Sequence, residues 1–294
     1  MLGVLGVLPP LIVLAPLLQN WLLEDIGRGD RTTQGVLTEE IGIGKADWIA
    51  KESGVVAGLP IAAHVFRLLS DRISFVSLVS EGERCERGQL VAQLHGPLDA
   101  LLMGERVALN LTMRLSGIAT LTRKYVECIA DLSAQLVDTR KTTPGLRLVE
   151  KYAIQVGGAR NHRMGLDDAV MVKDNHIAVA GSIEAAIARI RDHIPYPLTI
   201  EVETQSLSEV ESALQAGTDI IMLDNMSPGK MCEAVQLIRQ YSDRIRIEAS
   251  GNITLETIRS VAETGVDYIS TSAPITRSSW LDLSMKLKDK HMQK

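Results

Sequence analysis

Cationic side chains gather at three points in the second half of this 294-residue chain, and carboxylates gather farther along it. Arg140 and Lys141 follow one apolar run. Arg160, His162 and Arg163 stand in the next polar stretch, and Lys173, with His176 close behind, ends the run after it. Glu201 and Glu203 then share one run, and Asp224 closes another. Residues two apart on a strand point to one side, so Glu201 and Glu203 share a face. Cations on one side of a site and acids on the other suit a polyanionic substrate together with a divalent metal. Arginine forks grip carboxylates and phosphates at two points. Carboxylates recruit Mg²⁺, which holds a pyrophosphate. The stretch Ala249-Ser250-Gly251-Asn252, between a strand and a helix, offers backbone N–H groups and a helix N-terminus to a terminal phosphate. Residue types alone therefore predict a sugar-phosphate or diphosphate substrate paired with a small dianion.

Each feature also has a plainer reading. A single Arg or Lys at a strand end commonly makes a surface ion pair, and Glu201 taken alone reads as a solvated or ion-paired acid. Asp224 before Asn225 is also the signature of an Asx turn. Turns such as Ser250-Gly251 are common, His176 alone reads as structural, and Cys85, Met164 and Met171 read as packing residues. The functional reading rests on coincidence: five successive strand ends carry charge of ordered sign.

The elements that must position these groups alternate regularly. Short apolar runs at 135–138, 169–172, 198–202, 219–223, 244–248 and 267–270 are followed by helical patterns at 146–156, 183–193, 208–216, 228–241 and 254–264. Ser182 stands where an N-cap belongs. Such alternation implies parallel βα units. Six strands close most economically as a TIM-like α/β barrel, incomplete by the usual count of eight. An open, doubly wound sheet is the alternative, but no glycine-rich dinucleotide fingerprint follows the first strand. The first half reads as α+β instead. Strands are expected at 45–51, 54–57, 73–79 and 89–95, with helices at 17–26, 60–69 and 98–129, the last broken near Gly117. A separate N-terminal domain is expected over residues 1–115 and the barrel over 116–277. The tail 278–294, which has no place in the barrel count, is expected to pack back on the first domain.

Composition limits the partners. Apolar residues make up 46% of the chain and charged ones 23%, the ordinary globular range. Aromatic residues are only 3%, so aliphatic side chains must fill the core. A formal charge of −5 gives no reason to expect nucleic acid or an anionic membrane as partner. Cys85, Cys128 and Cys232 lack metal-ligand spacing and read as reduced thiols in a cytoplasmic protein. The first 23 residues carry no charged side chain, but Pro9, Pro10 and Pro16 interrupt them and no Lys or Arg precedes them, unlike a signal peptide.

In these residues the chain resembles the quinolinate phosphoribosyltransferases, also called carboxylating nicotinate-nucleotide pyrophosphorylases. The resemblance spans nearly the whole length. It is carried by Glu24-Asp25-Ile26-Gly27-Arg28-Gly29-Asp30, Gly104-Glu105-Arg106-Val107-Ala108-Leu109-Asn110, Asp138-Thr139-Arg140-Lys141-Thr142-Thr143-Pro144, Asn161-His162-Arg163, Lys173-Asp174-Asn175-His176, Glu201-Val202-Glu203, Leu223-Asp224-Asn225 and Ser250-Gly251-Asn252, in that order. It implies the sandwich-plus-incomplete-barrel fold and a homodimer with shared active sites, and leaves a hexamer of such dimers open. It also implies transfer of phosphoribosyl from phosphoribosyl pyrophosphate to quinolinate with decarboxylation, and Mg²⁺ as cofactor. By the same resemblance, Arg106 reaches the neighbouring subunit's site, and Thr139, Arg140, His162, Arg163 and Lys173 surround the quinolinate carboxylates. Lys141 contacts phosphoribosyl pyrophosphate, Glu203 and Asp224 lie near the ribose and the metal-pyrophosphate, and Ser250, Gly251 and Asn252 hold the 5′-phosphate. Ser272 stands where the family usually has a glycine that helps bind this phosphate. Two other readings remain at this stage: a same-fold paralogue acting on another substrate, and a non-catalytic binding protein that kept the fold.

Overall fold

The computed structural model describes residues 7–37 and 42–288. The expectations for residues 1–6 of the uncharged N-terminal stretch and 289–294 of the tail therefore lie outside the described residues. In chain order the elements begin with α1 (Leu11–Ile26), α2 (Arg31–Val36), β1 (Ile43–Ala50), β2 (Gly54–Val55), α3 (Leu59–Leu69), β3 (Ser74–Ser77), β4 (Arg84–Cys85), β5 (Leu90–Pro97) and α4 (Leu98–Cys128). There follow β6 (Gln135–Val137), α5 (Arg147–Gly157), β7 (Val170–Val172), α6 (Asp174–Ala180), α7 (Ile183–Arg191), β8 (Ile200–Thr204), α8 (Leu207–Gln215), β9 (Ile220–Asp224) and α9 (Pro228–Tyr241). The last are β10 (Arg246–Ser250), α10 (Ile258–Ala262), β11 (Tyr268–Ser270), α11 (Ala273–Thr276) and β12 (Leu283–Leu287).

Two compact units result. The described residues of Met1–Arg123, Leu148–Gly158 and Arg277–Lys294 make the first; Lys124–Arg147 and Ala159–Thr276 make the second. Neither is a single stretch of sequence.

In the first unit an antiparallel sheet runs β12-β1-β5-β3. One face buries Ala46, Trp48, Ala50, Ala92 and Leu94. Trp48 meets Phe66 and Phe75 edge-on at ring separations of 6.2 and 5.5 Å, so both phenylalanines and one of the three tryptophans gather in one place. Helix α3 supplies Ile61, Ala62, Val65 and Phe66 to this core, and α1 buries Leu14, Leu18 and Leu22 at the i, i+4, i+8 spacing of one helix face. Helix α1 begins earlier than the sequence reading suggests and carries Pro16 within it. The tail adds β12, paired antiparallel with β1 from Ala46↔Leu287 to Ala50↔Leu283. Helix α4 runs unbroken through Gly117, where a break was expected. The glycine answers to packing rather than to a kink, because a Cβ there would lie 1.9 Å from the carbonyl oxygen of Ser279 on the returning tail.

Helix α5 belongs to this first unit as well. Glu150, fully buried, takes a charge-assisted hydrogen bond from Arg114 at 2.8 Å. The Tyr152 hydroxyl donates to Glu81 at 2.9 Å, while Glu81 also accepts the N–H groups of Gly58 and Leu59 at the start of α3. Burial raises the Glu81 carboxyl above its ordinary value, against these hydrogen bonds.

The second unit holds a six-stranded parallel sheet in the order β6-β11-β10-β9-β8-β7. From β7 to β11 each strand pairs with its successor in sequence, and the first strand then lies beside the last. A doubly wound sheet reverses direction at a switch point; this order instead follows a ring opened between β6 and β7. An isolated parallel bridge, Val137↔Arg160, lies on β6. The sheet is thus the incomplete barrel expected. Three of its helices start at serine caps: Ser182 accepts the Ala185 N–H at 3.1 Å, Ser206 that of Glu209 at 3.3 Å, and Ser227 that of Lys230 at 3.4 Å. At the strands' N-terminal ends, Asp219 accepts the Ile200 N–H and Asp267 the Ile247 N–H, each at 2.8 Å. Those acids stitch neighbouring strands and leave the opposite ends for chemistry. The helix expected at 254–264 is regular only over α10, and α2, α6 and α11 are short helices the pattern does not announce.

Candidate active site

Parallel strands buried on both faces normally read as continuous apolar runs. Here Ile200, Val202, Ile221, Leu223, Ile247 and Ala249 supply that core, while acids alternate with them: Glu201 and Glu203 on β8, and Glu248 on β10. Glu201 and Glu248 are buried at 2% and 4% exposure, which marks them as interior groups and not as a solvated face. The reading of Glu201 as a solvated acid is therefore set aside, and its alternative, a partner of a basic side chain, holds.

The basic groups meet these acids. Asp138, buried just past β6, accepts the His162 backbone N–H at 2.8 Å, and its own N–H donates to the Arg160 carbonyl at 3.2 Å. This pins the 160–162 segment to the end of the first barrel strand. The His162 ring turns inward, with Nε2 3.0 Å from Glu201 Oε2 and 3.6 Å from Glu248 Oε2. Its Nδ1 accepts the Arg163 backbone N–H at 2.7 Å. The Arg163 guanidinium donates to the Ala169 carbonyl at 2.7 Å. Burial, reinforced by the neighbouring Arg140 charge, holds Arg163 below the usual arginine range, against the pull of Glu201, Glu203 and Asp168. Two neighbouring guanidinium charges, with the Arg140 Nε buried and without a hydrogen-bond partner, make a cationic group suited to a doubly charged anion. Lys173, just past β7, pairs with Glu203. Thr139 accepts the Lys141 N–H at 3.0 Å, and Lys141 itself is exposed.

The acidic side continues onto β9 and β10. Asp224 pairs in register with Ser250 and accepts from the Asn225 side chain at 3.0 Å. The Asn225 N–H donates to the Ser250 carbonyl at 2.9 Å, and Asn252 donates to the Asn225 side-chain oxygen at 3.2 Å. Asp224, Asn225, Ser250, Gly251 and Asn252 thus form one knot at two adjacent strand ends. Gly251 sits at φ +101°, and a Cβ there would lie 2.2 Å from Asn225 Oδ1. Gly251→Ala is accordingly expected to cost about 1–3 kcal/mol in backbone strain. That corresponds to a Tm lower by roughly 3–10 °C; an unchanged thermal transition would remove the strain argument.

Ser272 precedes α11, and its carbonyl accepts the N–H groups of Ile275 and Thr276 at 3.0 and 2.9 Å. Among the described residues only Asn225 and Asn252 are non-glycine residues at positive φ, so a serine at 272 is accommodated without strain. Its neighbour Thr271 donates to the Ile253 carbonyl at 3.4 Å, linking the end of β11 to the loop after β10. His176 has a structural role, as its Nδ1 accepts the Lys173 N–H at 3.0 Å at the start of α6. Arg106 is exposed on α4 of the first unit.

Two members were not singled out from sequence. Asp138 appeared only within a motif, and Glu248 read as the end of a strand. The signal for Glu248 was an acid flanked by Ile247 and Ala249 in an apolar run. His162, Glu201 and Glu248 also bring three potential metal-ligand atoms within 4.8 Å of one another.

Similarity to known proteins covers almost the whole chain. Residues 118–286 match the quinolinate phosphoribosyl transferase C-terminal domain, and residues 30–116 match the N-terminal domain of that family. A probable nicotinate-nucleotide pyrophosphorylase [carboxylating] of Synechocystis sp. is 59% identical over 280 residues, covering 95% of this chain and 94% of that protein. The human nicotinate-nucleotide pyrophosphorylase [carboxylating] is 38% identical, covering 97% of this chain and 95% of its own length. Among solved structures, NadC from Streptococcus pyogenes superposes with a TM-score of 0.89 at 43% identity, over 95% of this chain and 98% of that one.

Proposed function

The chain belongs to the quinolinate phosphoribosyltransferase family, and from that premise we propose how its barrel performs the family's reaction. The enzyme transfers phosphoribosyl from phosphoribosyl pyrophosphate to quinolinate, releasing pyrophosphate and CO₂ and leaving nicotinate mononucleotide for NAD biosynthesis. In the proposed arrangement Arg140, Arg163 and Lys173, with Thr139 and His162, bind the two quinolinate carboxylates. The observation that carries this is the juxtaposition of half-buried Arg163 with the Arg140 charge beside His162. Lys141 contacts the pyrophosphate ester. Glu203 and Asp224 face the ribose, and Ser250, Gly251, Asn252 and Ser272 receive the 5′-phosphate.

Positive charge develops at the anomeric carbon as pyrophosphate departs, and the acids Glu203 and Asp224 stabilise it. The arginine pair holds the pyridine nitrogen in line for attack. The quaternised ring then accepts the electron pair left when the 2-carboxylate departs as CO₂. No protein nucleophile takes part. Glu203 and Asp224 are also the residues that would hold Mg²⁺, since both offer the oxygen donors a hard cation takes. When bound, Mg²⁺ neutralises charge on the leaving pyrophosphate.

We assign the active assembly as a homodimer in which Arg106 enters the partner subunit's site. Its support is the exposed position of Arg106 on α4 of the first unit. A cytoplasmic location is proposed on the three free cysteines. Among the described residues no helix is long and apolar enough to cross a membrane.

The test is a direct assay of purified protein with quinolinate, phosphoribosyl pyrophosphate and Mg²⁺. The expected result is mononucleotide, pyrophosphate and CO₂ in equal amounts, with nicotinate failing to replace quinolinate. Pyrophosphate release with a different acid but not with quinolinate, or binding without turnover, would overturn the reading.

A further inference from the structure

The reaction as assigned leaves the buried pair Glu201 and Glu248 without a part. Both flank one imidazole nitrogen, His162 Nε2, at 3.0 and 3.6 Å, and the Oε1 atom of each is buried without a hydrogen-bond partner. The other ring nitrogen is committed, because Nδ1 accepts the Arg163 backbone N–H at 2.7 Å. A proton on Nδ1 would break that bond, so the ring's hydrogen lies on Nε2. One N–H then faces two carboxyls in a water-poor interior. If both were ionised, two buried like charges would stand with carboxylate oxygens within 4.8 Å of each other beside that N–H, an arrangement that burial penalises heavily. A proton on one carboxyl resolves the conflict, and the geometry points to Glu248, the one farther from Nε2.

We infer that Glu248 is a positioning residue for the quinolinate site and acts as a neutral acid, leaving the His162 N–H to Glu201 so that the ring anchors the loop that aims Arg163. The inference rests on the reading above in which Arg163 binds quinolinate. The groups facing Glu248 are Glu201 and Glu203 from β8, His162 from the loop after Arg160, and the Ser270 hydroxyl from β11. Burial first, and the Glu201 charge second, push its carboxyl up to about 8, against the pull of His162. It keeps its proton through neutral pH and loses it as pH rises through that value.

The sequence route to this role is indirect, since only barrel closure brings residues 162, 201 and 248 together. The role also differs from that of a substrate ligand. Glu248 acts through the His162 ring, so its removal is expected to change quinolinate affinity while sparing the affinity for phosphoribosyl pyrophosphate.

The experiment compares full-length wild type, Glu248→Gln and Glu248→Ala. Quinolinate KM, phosphoribosyl pyrophosphate KM, kcat and Tm are measured from about pH 6 to about pH 9.5, a span that brackets the titration. Glutamine mimics the protonated acid, so its quinolinate KM at neutral pH is expected within about twofold of wild type, while alanine raises it about tenfold or more. Above about pH 8 the wild-type KM climbs and the glutamine variant's does not. Stability gives a second readout. A raised carboxyl binds its proton more tightly in the folded state, so wild-type Tm falls as pH rises from the ordinary carboxylate range toward 8. In Glu248→Gln that slope is reduced.

The inference is overturned if glutamine behaves like alanine, or if the pH profiles of wild type and Glu248→Gln coincide. Stoichiometric metal in the wild type that is lost from Glu248→Gln would also overturn it, by making the trio a metal site. Should the alanine variant fail to fold, the wild-type and glutamine profiles decide alone. Absence of quinolinate turnover in the wild type would strike the functional reading instead, and the Tm profiles would still report whether Glu248 holds a proton.

Discussion

Arg163→Ala is expected to abolish useful quinolinate binding while leaving affinity for phosphoribosyl pyrophosphate largely intact. The side chain is half-buried beside a second guanidinium, Arg140, and is steered by its bond to the Ala169 carbonyl. Removing one charged partner of a desolvated carboxylate costs about 2–5 kcal/mol, mostly because the remaining charge is left unpaired. That is roughly a 30- to 5000-fold rise in the dissociation constant. Calorimetric titration of quinolinate measures it directly. Arg163→Lys is expected to recover only part of the loss, since a point charge does not reproduce the planar fork. Arg140→Ala falls in the same range. If both alanine variants bind quinolinate like wild type, the basic pocket has been assigned to the wrong ligand.

The second large effect concerns Arg106. Arg106→Ala alone is expected to retain below about 1% of wild-type activity, because a charge acting on the bound substrate is gone from every site. Mixing it with a variant such as Asp224→Asn, which keeps Arg106 but lacks an acid of the barrel, is expected to restore activity. Random exchange of subunits makes about half the dimers mixed, and each carries one complete site, so recovery approaches about one quarter of wild type. Verified mixed dimers that stay inactive would remove the shared site, and with it the role given to Arg106.

Part of this architecture was legible because it is local. Alternation of apolar runs with helical periodicity reports which side of a strand or helix is buried, and neighbours in the chain alone determine it. The six parallel strands, the Ser182 cap and the helix Pro228–Tyr241 all follow from such patterns. Strand-end charge was equally visible. Arg140, Arg163, Lys173, Glu203 and Asp224 were picked out by residue type and place, and the structure gathers them within the second unit. Other features were hidden because their cause lies far away in sequence. Gly117 reads as a helix breaker until the Ser279 carbonyl is found against it. Strand β12 carries too short a pattern to announce itself, and forms because β1 offers it an edge.

By itself the sequence determined the kinds of element, their order and the charges at their ends, since each is a property of residues close along the chain. Which of those charges are buried, and which face each other, was decided by closing the sheet. Closure brings Glu201, Glu248 and His162 around one imidazole nitrogen although more than 80 residues separate the first and last of them in sequence. A buried carboxyl's protonation depends on that distant company, because desolvation and neighbouring charge act through space and not along the chain.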